Sequence, residues 1–229
     1  MLNAIAIVPS SPLMVPQLAS SATGETEDLR GAAVSAAAGL PSRWIAVGVD
    51  ARDGVYGPPS PGTFAGYGVD VRVSLSAEPG ADEPTALPLC ALIAAWLRGQ
   101  AAPQGQVEVR TCRSDLAGEA AVERGRQLRT QVDSAVEQLG VLIVADGANT
   151  LTPAAPGGHD PASASAQAAL DDALAAGDTA ALRHLPASIL GRVAYQVLAG
   201  LAEPGPGSAR ELYRGAPYGV GYFVGIWTP

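Results

Sequence analysis

The strongest constraint on the fold is an alternation. Short, uninterrupted apolar runs are separated by stretches long enough to be helices. The first run is Leu2-Asn3-Ala4-Ile5-Ala6-Ile7-Val8, ending at Pro9, and the second is Trp44-Ile45-Ala46-Val47-Gly48-Val49. Between them, Glu25 to Gly39 has acids at its start and a glycine at its end, the signals of a helix terminus at each side. Strand, helix, strand in this order predicts an α/β fold, with a mostly parallel central sheet flanked by helices.

The rest of the chain continues the pattern. Residues 53 to 61 are rich in glycine and proline and read as a surface loop, a candidate lid or rim. Val69, Val71, Val73 and Leu75 alternate as in a half-buried strand, and a Pro/Asp/Glu turn then leads into an apolar helix around Leu87 to Arg98. Val107 to Arg110 reads as another strand. Leu128, Val132, Val136 and Leu139 recur at helical spacing, predicting a long amphipathic helix that delivers the chain into a strand at 141 to 145. An alanine-rich helix runs from Asp160-Pro161 to Ala176, where Gly177-Asp178 stops it and caps the next. A further helix from about Pro186 to Leu201 places Ile189, Leu190, Val193, Ala194, Val197 and Leu198 on one stripe, and a last strand spans Gly219 to Ile226. With 229 residues and no repeat or linker to divide it, the chain is expected to form one domain.

Charge narrows the partners. The formal net charge is −8, and all 14 basic residues are arginines without a clustered stripe, so nucleic acid is not an expected partner. Missing lysine beside abundant alanine, glycine and proline suggests a high-GC genome such as that of an actinobacterium. No apolar stretch reaches the roughly 18 to 20 residues of a membrane span, and no basic segment precedes Leu2, so a cytoplasmic protein without membrane contact is expected. Cys90 and Cys112 lack the spacing of a zinc or redox motif and read as buried packing residues.

The segment after Val141-Leu142-Ile143-Val144, namely Asp146-Gly147-Ala148-Asn149-Thr150-Leu151-Thr152-Pro153-Ala154-Ala155-Pro156, has the look of a functional loop at a strand end. Four pieces in order carry a resemblance: Val8-Pro9-Ser10-Ser11-Pro12-Leu13-Met14-Val15-Pro16, Leu151 to Pro156, Leu174-Ala175-Ala176-Gly177-Asp178, and Ala216-Pro217-Tyr218-Gly219-Val220-Gly221-Tyr222. Together they resemble the catalytic-subunit family of class III extradiol ring-cleavage dioxygenases, a superfamily that includes the Memo proteins. The resemblance spans nearly the whole chain and is weakest over 53 to 115.

It implies a homodimeric non-haem iron enzyme that opens catechol rings with dioxygen. Two histidines and a carboxylate hold ferrous iron with open positions for catecholate and oxygen, and another histidine moves protons. Carried over position by position, the histidines are missing. Ser10 stands at the first, Asp50 follows the second strand where the next is expected, and Asn149 occupies the acid/base place; Glu211 corresponds to the carboxylate.

Only His159 and His184 exist in the chain, and they read as a loop residue and a solvent-facing helix end. The sequence therefore points to a catalytically degenerate, metal-ligand-deficient relative that binds a small molecule or a protein partner and needs no cofactor. Its pocket candidates are Ser10, Ser11, Asp50, Asp146, Asn149, His159 and Glu211. Serine nucleophilicity at Ser10 or Ser11 has no recognisable base to support it. The alternative is a divergent metal-dependent enzyme: either a dioxygenase with relocated Fe(II) ligands, or an oxygen-rich site for another divalent cation built from Asp50, Asp146 and Glu211. The glycines of Tyr218-Gly219-Val220-Gly221-Tyr222 lack the third glycine and following helix of a dinucleotide fingerprint, and read as points of close backbone approach. Tyr213, Tyr218, Tyr222 and Trp227 are core or pocket aromatics.

Overall fold

The computed structural model describes residues 1–19, 24–78, 80 and 83–229. In chain order the elements are β1 (Leu2–Val8), α1 (Pro16–Ala19), α2 (Glu27–Ala38), β2 (Arg43–Asp50), β3 (Gly54–Tyr56), β4 (Pro61–Thr63), β5 (Arg72–Ser74), α3 (Leu89–Ala101), β6 (Gln106–Arg113), α4 (Gly118–Ser134), β7 (Leu139–Val144), α5 (Ala162–Ala176), α6 (Thr179–Leu182), α7 (Arg192–Ala202), β8 (Ser208–Gly215) and β9 (Tyr222–Thr228).

A seven-stranded sheet runs in the order β3-β6-β2-β7-β1-β9-β8. Its centre, β6, β2, β7 and β1, is parallel, while β3 pairs antiparallel with β6 and β9 antiparallel with both β1 and β8. The apolar runs are continuous, not alternating, because these central strands are covered on both faces. One face packs Ala4, Ala6, Val8, Trp44, Ala46, Leu142 and Val144 against Leu29 and Ala33 of α2 and Ile93 and Leu97 of α3. The other packs Ile5, Ile7, Ile45, Val47, Val141 and Ile143 against Leu128 of α4, Leu170 of α5 and Val197 of α7. The α/β architecture expected from the sequence is the one observed.

Several boundaries differ, each for a local reason. Residues 53 to 61 are not all loop, since β3 adds a short edge to β6. The alternating stretch 69 to 75 reduces to β5, which pairs with β4 in a separate two-stranded ribbon and not with the main sheet. Part of the turn expected after it lies outside the described residues. Helix α4 ends at Ser134, so Val136 is fully exposed and Leu139 already belongs to β7. The helix expected from Pro186 begins only at Arg192, and Leu190 is exposed, which removes it from the buried stripe. The last strand starts at Tyr222, and β8 was not anticipated because its burial is irregular and its residues are polar.

The Gly177-Asp178 signal reads true in detail. Gly177 takes a left-handed φ of 71° as the cap of α5, and the Asp178 side chain accepts from Ala181 N to start α6. Among the described residues no helix is long and apolar enough to cross a membrane.

Candidate functional site

Strand β1 hands the chain to α2 on one face, whereas its neighbour β7 hands it to α5 on the other. Where adjacent parallel strands send their connections to opposite faces, a crevice opens beyond their carboxyl ends. Register shows which residues stand at those ends. Val8 of β1 and Gly48 of β2 are both level with Val144 of β7. Two residues farther on come Ser10, Asp50 and Asp146: Asp50 ends β2, and Ser10 and Asp146 lie just beyond the ends of β1 and β7. Tyr222, the first residue of β9, reaches the same end of β1, where its hydroxyl meets that of Ser11. The carboxyl ends of β2, β7 and β1 and the start of β9 thus form a row that carries Asp50, Asp146, Ser10 and Tyr222.

The row is tied together at its centre. Asp146 Oδ1 accepts from Ser10 N at 2.8 Å, and the hydroxyls of buried Ser11 and Tyr222 lie 3.0 Å apart. Protein surrounds the Asp146 carboxyl although its side chain keeps partial contact with solvent. Burial pushes its pKa up to about 7, with the Ser10 N–H opposing. Burial likewise pushes Tyr222 up to about 12, helped by the Asp146 charge. Tyr195, wholly buried below the loop, donates to Ala145 O at 2.9 Å and is raised well above its ordinary value by burial, then by the Asp146 and Asp171 charges. At the other end of the row Asp50 adds to the upward shift of the half-exposed Tyr67, whose first cause is burial.

The loop that follows is held by its backbone. Gly147 N donates to Gly221 O, Gly221 N to Ala148 O and Leu151 N to Gly219 O, so the 146 to 151 and 219 to 221 segments run against each other. Gly219 has φ 74°, and Tyr218 beside it is the one non-glycine residue with positive φ among the described residues, at 59°. Such a conformation is uncommon for a bulky side chain and is kept only where surroundings enforce it. Here the exposed Tyr218 hydroxyl donates to Glu25 Oε2 at 2.5 Å.

Sequence reasoning missed the support beneath this loop. Gln167 of α5 accepts from Ala148 N and donates to Asp171 Oδ1, both at 2.8 Å. A methyl group at Gly147 or Gly221 would collide with the Gln167 amide, which explains both glycines as points of close approach. Burial pushes Asp171 up to about 6, with Gln167 as the main opposing influence. The available signal was a polar pair four residues apart inside the stripe of Leu170 and Leu174. Truncation by Gln167→Ala leaves Ala148 N and Asp171 without their partner, and should cost about 1–3 kcal/mol in urea unfolding.

Other anticipated residues lie outside the row. Asn149 turns into its own loop, its carbonyl accepting from Gly157 N and its side chain lying against Gly157. His159 and His184 are exposed on separate loops. Glu211 pairs with Arg214, which also binds Asp172 of α5, so it belongs to the opposite sheet face. The carboxylate trio Asp50, Asp146 and Glu211 is therefore not assembled. Among the described residues no group of three His, Cys, Asp or Glu side chains could hold a metal ion. A hydroxyl, two carboxylates and a tyrosine do not fit a two-histidine iron centre. Tyr222 and Trp227 are core residues, and Cys90 and Cys112 are free buried thiols, the former pushed up to about 12 chiefly by burial and so inert.

No family model matches the chain, and no curated protein does. Among solved structures it is similar to the uncharacterized protein JW3007 of Escherichia coli K12, with TM-score 0.56 and 11% identity over 99% of this chain and 100% of the other. The fold is shared. At that identity the likeness carries the architecture alone.

Proposed function

We propose that this chain is a metal-ligand-deficient relative of the class III extradiol dioxygenases, which uses the crevice beyond β2, β7 and β1 to bind a small hydroxylated molecule without opening a ring. The observation that carries this reading is the placement of Asp50, Asp146 and Ser10 at the carboxyl ends of adjacent parallel strands, where the positions the resemblance assigns to iron ligands hold serine and aspartate. A carboxylate accepts hydrogen bonds from ligand hydroxyls, and the raised pKa of Asp146 lets it serve as donor or acceptor near neutral pH. Backbone bonds on both sides of the loop keep these groups in place before a ligand arrives.

The test uses the full chain purified without chelator. Metal analysis should find less than stoichiometric iron, and an oxygen electrode should record no uptake with catechol. Catechol itself should bind saturably, and Asp146→Ala should weaken it by about tenfold, the loss of one charge-assisted hydrogen bond. Stoichiometric iron with catechol-dependent oxygen uptake would overturn the reading in favour of a relocated iron site. Catechol binding that ignores Asp146 would remove the crevice from it.

A further inference from the structure

A second site lies at the other end of the molecule. Arg98, in the last turn of α3, is only 8% exposed, yet no carboxylate pairs with it among the described residues. Its bonds go to backbone carbonyls: Nε donates to Ser74 O at 2.9 Å and Nη1 to Pro103 O at 2.6 Å. A guanidinium has five N–H donors, so two bonds leave others free to meet solvent or a ligand, and carbonyl dipoles offset a full charge only in part. Burying a charge without a counter-ion is costly, and natural chains keep such a group where something else completes it.

Arg98 lines a cavity of about 490 Å³ between α3 and the β4–β5 ribbon, open to solvent on one side. Trp96, Val71 and Val73 form apolar wall, while Gln17, Gln100 and Arg72 supply donors. Among the described residues none that lines it is acidic, in a chain whose net charge is −8. Among the described residues Arg72 is held only by Asp70 at 3.8 Å, both well exposed, and can turn inward. This cavity is remote from the crevice, since Leu75, next to β5, accepts from Val107 N at the amino end of β6. Its volume suits a small organic ligand.

We propose that this cavity binds a small organic carboxylate, with Arg98 as the buried anchor of the carboxylate and Trp96 and the valines around the apolar body. A planar carboxylate matches the guanidinium fork, and the mixture of wall and donors favours an anion with a hydrocarbon part over a bare inorganic one.

Benzoate, its neutral isostere benzamide and inorganic phosphate are titrated against the full chain by calorimetry, with tryptophan fluorescence alongside. Benzoate should bind saturably, benzamide at least about tenfold more weakly, and Arg98→Met should lose about tenfold or more of the benzoate affinity. The fluorescence change should disappear in Trp96→Phe. Should Arg98→Met not fold, Arg72→Gln and Trp96→Phe read the same cavity and are each expected to weaken benzoate several-fold. The proposal is overturned by absent benzoate binding, by benzamide binding as tightly, by phosphate binding more tightly, or by affinity that survives these substitutions.

Discussion

Replacing Gly200 with alanine is expected to destabilise the protein by about 3 kcal/mol or more, a large fraction of the stability of a domain. The reason is backbone contact between α4 and α7. A methyl group on Gly200 would run into the carbonyl oxygen of Val122, and one on Gly125 into that of Val197, with Leu201 N only 2.7 Å away. These are main-chain atoms within helices, so no side-chain rotation relieves the overlap; the helices must separate. Separation would loosen Leu128 and Val132 from Val193 and Val197, which cover one face of the sheet. Gly31→Ala in α2 is the control. Nothing lies within 4 Å of a methyl group there, and it should gain about 0.5–1 kcal/mol from helix propensity. Urea denaturation of the three proteins checks both signs; equal stability of Gly200→Ala and the parent would mean that α4 and α7 do not touch.

The second large effect is a pH dependence. With Asp146 pushed up from 3.8 to about 7, the folded chain holds a proton between those values that the unfolded chain has released. Stability is therefore highest at the acidic end of this window, falls as pH rises towards about 7, and levels beyond it. Asp146→Asn keeps an oxygen for Ser10 N–H and has no charge to bury. It should be more stable than the parent at pH 8 by about 2–4 kcal/mol and nearly equal to it at pH 4. Asp171, pushed up to about 6, adds a slope of the same sign in both proteins. Denaturation curves across this range decide the matter: parallel pH profiles for parent and variant would mean that the carboxyl ionises freely against solvent. Gain in stability should accompany loss in catechol affinity, the usual exchange where a buried charge is kept for binding.

Much of this architecture was legible because the signals are local. Leu2 to Val8, Trp44 to Val49 and Val141 to Val144 are apolar without interruption, and such runs between helix-length segments leave little choice but a covered sheet. Gly177 and Asp178 act within one turn of the chain, so their effect could be read from two adjacent residues. The carboxyl-end positions Ser10, Asp50 and Asp146 could be nominated from their places after apolar runs and from a family resemblance. Elements without a periodic signal escaped. Strand β8 is polar and edge-bound, β3 is three residues long, and the valines of 69 to 75 alternate for a ribbon that never joins the main sheet.

What the chain determines by itself is therefore the α/β alternation, the helix stops and the residue types at the strand ends. Tertiary structure decided that β7 inserts between β1 and β2, and with it that Asp146 stands between Ser10 and Asp50 while Glu211 faces away. It also decided that Gln167 supports the loop, that Gly125 and Gly200 are contact points and not flaws in two helices, and that Arg98 is buried without an acid among the described residues. The physical reason is the same in each case. Periodicity and capping depend on neighbours along the chain, whereas register, close approach and charge compensation depend on groups far apart in sequence whose meeting is set by packing.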